Sequence, residues 1–237
     1  MTPRVIVAPL PEIQAAFARV FEGHASEVIA RREKFIVALP GGSAARTFLP
    51  VLAGLDVDWT RVEIFWIDER AVPPDHPESN YALAARLLLG PARVPHDRIH
   101  RMVGELPDLD SAARRAADEL KSIAGDPPHL DLALVGVGED GHVASIFRNR
   151  AAHHDVRNRK DYIEPVYDAP KPPARRLTLT LPVLAGAGLV VVAAFGSTKA
   201  DVMRLALSGS GAVTPIAELL RLADSALVLL DPDAGLS

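Results

Sequence analysis

Asp140 and His142 stand two residues apart in the run Gly136-Val137-Gly138-Glu139-Asp140-Gly141-His142, which follows a strongly apolar stretch. A carboxylate within reach of an imidazole can fix its tautomer and raise its basicity. A base that activates water near neutral pH needs both. An Asp-x-His pair taken by itself is more often structural, so spacing leaves both readings open. The same run fits G-x-G-x-x-G after a strand, the pattern of a dinucleotide-binding loop. Glu139 and Asp140 inside that loop would repel a pyrophosphate, and a polar stretch stands where the next strand with an acidic end is expected. A nicotinamide-dependent dehydrogenase is therefore set aside.

Other segments offer groups for an anion. Pro40-Gly41-Gly42-Ser43 joins an apolar run to a helical pattern. Glycines there let backbone N–H groups and a helix dipole approach a negative charge. Ser43 could add its hydroxyl or simply cap the helix, and a plain tight turn fits the spacing equally well. The run lacks the Gly-Lys-Ser/Thr ending of a Walker loop and the final glycine of a nucleophile elbow. Asp68-Glu69-Arg70 closes another apolar run, either as solvated charge or as a site whose Arg70 fork suits phosphate. Lys199, beside Gly196-Ser197-Thr198, could supply a further cation or be merely exposed. His96 and His100 have i, i+4 spacing on a Pro-containing loop and do not form a helical metal pair. His153-His154 reads as solvated. No set of His, Asp and Glu has metal spacing, and with no cysteine a thiolate nucleophile or disulfide is excluded.

Periodicity supplies the elements that must hold these groups. Pro11 to about Arg32 carries apolar residues at helical spacing, and Phe35–Leu39 reads as a short buried strand followed by a second helix. Val62–Ile67 is the next strand. Ser79-Asn80 can cap a helix through Leu89, and Asp110–Ala124 is a further amphipathic helix. Leu130–Val135 is the strongest strand, followed by Arg176–Thr180, Leu189–Phe195 and Ala226–Leu230, with helices at Thr198–Leu207 and Pro215–Leu222. Strands apolar on both faces, alternating with helices, indicate an α/β protein with a mostly parallel sheet covered on both sides. In such sheets ligands bind at the carboxyl ends of the strands, where the unusual residues sit. The polar stretch 148–161 and Ala169–Pro173 read as surface loops of one domain covering residues 1–237.

The composition narrows the function classes. A hydrophobic fraction of 49% and a charged fraction of 24% are those of a globular chain with a sizeable core. A formal charge of −4 leaves no global basic field for nucleic acid. The longest apolar run, Leu184–Phe195, is too short to span a membrane, and the N-terminal residues lack the apolar core of a signal peptide. A cytosolic protein is expected.

Taken together, the segments resemble the 6-phosphogluconolactonase family, relatives of glucosamine-6-phosphate deaminase. Four blocks carry the resemblance: Leu39–Ser43; Asp68–Pro73 with Ser79-Asn80-Tyr81; Gly136–Phe147; and Lys171-Pro172-Pro173 leading to Arg176–Pro182. Gly196–Ala200 is a weaker fifth. The resemblance implies a modified Rossmann-like fold of the NagB/RpiA/CoA-transferase type and metal-free, cofactor-free hydrolysis of a phosphorylated sugar lactone in the oxidative pentose phosphate pathway. It also implies a monomer without nucleic-acid or membrane partners. By position, His142 would be the general base and Asp140 its orienting partner. Gly41, Gly42, Ser43, Asp68, Arg70 and Lys199 would bind substrate, its phosphate or the developing oxyanion. The sequence departs from the family pattern at Ala44-Ala45, in place of Thr-Pro, and at Arg148, where proline is common. The sibling deaminase has Asn-Glu where this chain has Ile146-Phe147 and Tyr at Arg70, so the ring-opening carboxylate is missing. A non-catalytic sugar-phosphate sensor on the same scaffold would have no use for a base.

Overall fold

The computed structural model describes residues 2–148, 161–209 and 214–235. Most of the polar stretch 148–161, with His153-His154, lies outside the described residues.

Six parallel strands form the main sheet: β1 (Arg4–Val7), β2 (Phe35–Leu39), β3 (Val62–Trp66), β5 (Leu132–Gly136), β8 (Leu189–Ala194) and β9 (Ala226–Leu230). Their order across the sheet is β1-β9-β8-β5-β2-β3. Every residue of β2 and of β3, the strand at the sheet edge beside it, is buried, in keeping with a parallel sheet covered on both faces. Alternation splits β2 between two cores. Phe35, Val37 and Leu39 face one side, Ile36 and Ala38 the other.

The first core lies under α1 (Leu10–Arg32) and α2 (Gly42–Ala53). Phe17 and Phe48 meet there with ring centroids 4.5 Å apart, and Phe21 packs edge-on to Phe35. The second core lies under α4 (Leu109–Ala124), α5 (Leu181–Ala185), α6 (Ala200–Leu207) and α7 (Pro215–Leu222). Leu109, Leu120, Ile216 and Leu219 are fully buried in it. Each such side chain contributes about 1.5–3 kcal/mol by leaving water. Asp131, just before β5, ties the layers together. One carboxylate oxygen accepts from the Ile36 N–H at 2.8 Å and the other from Arg32 at 2.7 Å. Among the described residues no helix is long and apolar enough to cross a membrane.

A second sheet departs from the sequence expectation. β4 (Asp68–Arg70), β7 (Arg176–Leu179) and β6 (Ile163–Val166) pair antiparallel in the order β4-β7-β6. The run Arg176–Thr180 reads as one more strand of the parallel sheet, but it pairs with Asp68–Arg70 instead. β6 escapes sequence reading because it is four residues long and contains Pro165, which suits only an edge strand. β1 is also four residues long and largely exposed at the sheet edge. Ser79 does cap α3 (Asn80–Ala84), accepting from the Ala82 N–H at 3.1 Å, but Ala85–Leu89 continues as a π-helical turn. The helix expected from Thr198 begins at Ala200, preceded by a 3₁₀ turn over Ser197–Lys199.

Candidate active site

The three loops singled out by their chemistry leave the carboxyl ends of β2, β5 and β8, which are neighbours in the sheet. With β4 and β7 they enclose a cavity of about 280 Å³. Gly41, Gly42, Ser43, Asp68, Arg70, His142 and Lys199 all line it, while Asp140 stands behind the histidine.

His142 sits in a tight turn. The Gly138 N–H donates to the His142 carbonyl at 2.9 Å, and the Gly141 N–H donates to the Gly138 carbonyl at 3.0 Å. Gly141 has φ of 80°, which favours glycine. A β-carbon on Gly138 would overlap the imidazole and the Asp140 carboxylate. Space, not flexibility, therefore requires glycine at position 138. His142 Nδ1 lies 2.5 Å from Asp140 Oδ1, so the imidazole and the carboxylate are hydrogen-bonded. Burial opposes ionisation of Asp140, but the hydrogen bond and charge of His142 outweigh it and hold the carboxyl below its ordinary value. An ionised Asp140 accepts a hydrogen bond from Nδ1–H, which leaves Nε2 as the nitrogen free to act as a base. The imidazole packs against Phe147, ring centroids 4.7 Å apart.

The first turn of α2 forms another part of the cavity wall. Gly41 is the N-cap and makes no side-chain cap; Ser43 lies inside the first turn, so it is not the capping residue. The leading N–H groups of a helix have no partner within it, and the dipole adds partial positive charge. Gly42 has φ of 63°, and a β-carbon on Gly41 would overlap the Asn80 carboxamide. Both glycines meet a specific steric demand.

The triplet Asp68-Glu69-Arg70 is not a solvated cluster. Asp68 and Glu69 are buried. Burial raises the Glu69 pKa against four donors, the N–H groups of Arg70, Asn80 and Tyr81 and the Ser79 hydroxyl. Asp68 accepts from Ser145 Oγ at 2.7 Å and Asn80 Nδ2 at 3.1 Å, and pairs with Arg176 at 3.9 Å. Asp68 thus lines the cavity with its carboxylate engaged by Ser145, Asn80 and Arg176. Arg70 donates to the Glu78 carbonyl at 2.6 Å, and its buried Nε has no hydrogen-bond partner among the described residues. Lys199 Nζ lies 3.9 Å from Glu139 Oε1. Burial lowers the Lys199 pKa, Glu139 opposes that, and the nearby Lys171 charge adds to it.

Lys171, Arg176 and Asn80 also line the cavity, although the sequence pattern suggests only a capping role for Asn80 and none for the other two. Their motifs were visible, but their convergence depends on the β4–β7 pairing. His100 lies elsewhere, between Glu63 and Glu119 at 2.8 Å each. Among the described residues no group of three or more His, Cys, Asp or Glu side chains is arranged to hold a metal ion.

The chain is 34% identical over 230 residues to the 6-phosphogluconolactonase of Mycobacterium tuberculosis, covering 93% of this chain and 92% of that protein. It is 36% identical over 201 residues to probable 6-phosphogluconolactonase 3, chloroplastic, of Oryza sativa subsp. indica, covering 77% of this chain but only 58% of the rice protein's length. The solved 6-phosphogluconolactonase of Trypanosoma brucei superposes with a TM-score of 0.85 at 26% identity, over 98% of this chain and 97% of that one. Residues 10–228 match the profile of the glucosamine-6-phosphate isomerases/6-phosphogluconolactonase family, and the chain belongs to that family.

Proposed function

We propose that this chain hydrolyses 6-phospho-D-glucono-1,5-lactone to 6-phospho-D-gluconate, with His142 as general base and without a metal ion. The observation that carries the reading is the 2.5 Å Asp140–His142 pair opening on a cavity with four cationic side chains. The names of the relatives favour the same reaction.

In this mechanism the first turn of α2, Arg70 and Lys199 anchor the phosphate and fix the lactone carbonyl near His142. Anchoring at a remote group turns binding energy into orientation. Nε2 of His142 takes a proton from water as its oxygen bonds to the carbonyl carbon. The tetrahedral oxyanion is stabilised by nearby N–H groups or a cation. On collapse the bond to the ring oxygen breaks, and that oxygen takes a proton, returned by the imidazolium. The product is the open-chain acid. Asp140 stays ionised throughout and stabilises the imidazolium. Phe147 packs on the base where the deaminase pattern carries a carboxylate, so ring-opening isomerisation lacks its acid.

We further propose that the chain acts as a single domain and a monomer in the cytosol, with a phosphorylated sugar lactone as its small-molecule partner. Acid release from freshly prepared 6-phosphogluconolactone, measured against spontaneous hydrolysis, tests the activity. Rapid release without ammonia from glucosamine-6-phosphate is expected. Loss of activity in chelator would contradict the metal-free mechanism.

A further inference from the structure

Arg176 is a guanidinium buried to 5% exposure in the cavity wall, with protein groups around each of its nitrogens. Nε donates to the Pro173 carbonyl at 2.9 Å, and one terminal nitrogen donates to the Lys171 carbonyl at 2.8 Å. The other terminal nitrogen reaches Ser145 Oγ at 3.4 Å and lies 3.9 Å from Asp68. Its planar fork thus gathers a turn whose first residue, Lys171, is exposed and lines the cavity. The guanidinium also lies 5.8 Å from the centroid of Phe147, which packs against His142. Lys171 is close enough to Lys199 to act on its charge.

We propose that Lys171 is a further phosphate-binding residue and that Arg176, held by Asp68 and Ser145, is the positioning residue that aims it. In this assignment Nε and one terminal nitrogen of Arg176 are committed to the turn, so its part is to hold Lys171 in place. Two lysines from different elements then converge on the phosphate, one from the turn before β7 and one from the 3₁₀ turn after β8. Lysine at position 176 would keep the charge but could not bridge the carbonyls of Lys171 and Pro173 together.

The inference rests on the lactonase reading, and a double-mutant cycle separates the two. Wild-type turnover of 6-phosphogluconolactone tests the reading alone. Given turnover, Lys171→Met, an exposed substitution that leaves the core intact, is expected to raise KM about 10- to 100-fold, with the loss falling on KM more than on kcat. Arg176→Lys is expected to raise KM similarly, and the double variant to be no worse than the poorer single one. The same Lys171→Met comparison with unphosphorylated glucono-1,5-lactone is expected to show no change in kcat/KM. An unchanged KM in Lys171→Met would overturn the proposal even if Arg176→Lys failed to fold. Losses that add in the double variant would also overturn it, since Arg176 would then act independently of Lys171.

Discussion

At the scale of residues, the Asp140–His142 pair was legible because its partners lie two positions apart, so a local turn suffices to join them. The Asp68–Ser145–Arg176 network was not, because its members come from three distant segments brought together by strand pairing. The roles of these residues differ in testable ways. Asp140→Asn would offer an amide that can donate to Nδ1 and stabilise the wrong tautomer. Turnover is expected to fall by about 10²- to 10⁴-fold with little change in KM, measured in steady-state assays. Lys199 gives a pH signature. Its burial-depressed pKa means its positive charge is lost at lower pH than that of an ordinary lysine. Calorimetric affinity for 6-phosphogluconate should therefore weaken on the alkaline side, and Lys199→Arg should remove that limb. An affinity that stays flat until ordinary lysine pH would count against Lys199 as a phosphate ligand.

At the scale of elements, long apolar or amphipathic runs announced themselves. β2, β9 and α7 have the bounds their sequence patterns suggest, because buried strands and an amphipathic helix leave strong periodic signals. The antiparallel sheet did not. β4 is three charged residues, two acidic and one basic, whose burial follows from the donors of α3 and β7, not from its own composition. Loops carry the same distinction. Gly138 is required by the closeness of the imidazole, a demand that only the folded turn reveals. Gly138→Ala is expected to displace the base and lower kcat on the order of 100-fold while the far-ultraviolet circular dichroism stays native. Full activity in that variant would mean that His142 need not hold this position.

For the molecule as a whole, the α/β class and the use of strand carboxyl ends were legible from apolar runs alternating with helices. The strand order was not, because sequence does not say that β8, β5 and β2 lie side by side. That order makes one site from three loops. Stability is distributed differently. Phe48 is buried between the Phe17 ring and the sheet, and Phe48→Ala should cost about 3–5 kcal/mol in denaturant unfolding. His100 adds a pH-dependent share. Burial opposes its charge, but Glu119 and Glu63 outweigh burial and raise its pKa above the ordinary imidazole value. Only the imidazolium can donate to both carboxylates. Its contribution is therefore full below a pH of about 6.5 and is lost as pH rises through the raised folded value. The difference in melting temperature between the native chain and His100→Gln should accordingly be largest at acidic pH and shrink as pH rises above about 6.5.

The most direct measurement is the initial rate of acid release from fresh 6-phosphogluconolactone at neutral pH, with His142→Ala beside the unaltered chain. Fast release by the unaltered chain and a rate near the spontaneous one in His142→Ala are expected. Full activity in His142→Ala would contradict the general-base role, and no release above background by either would contradict the lactonase assignment itself.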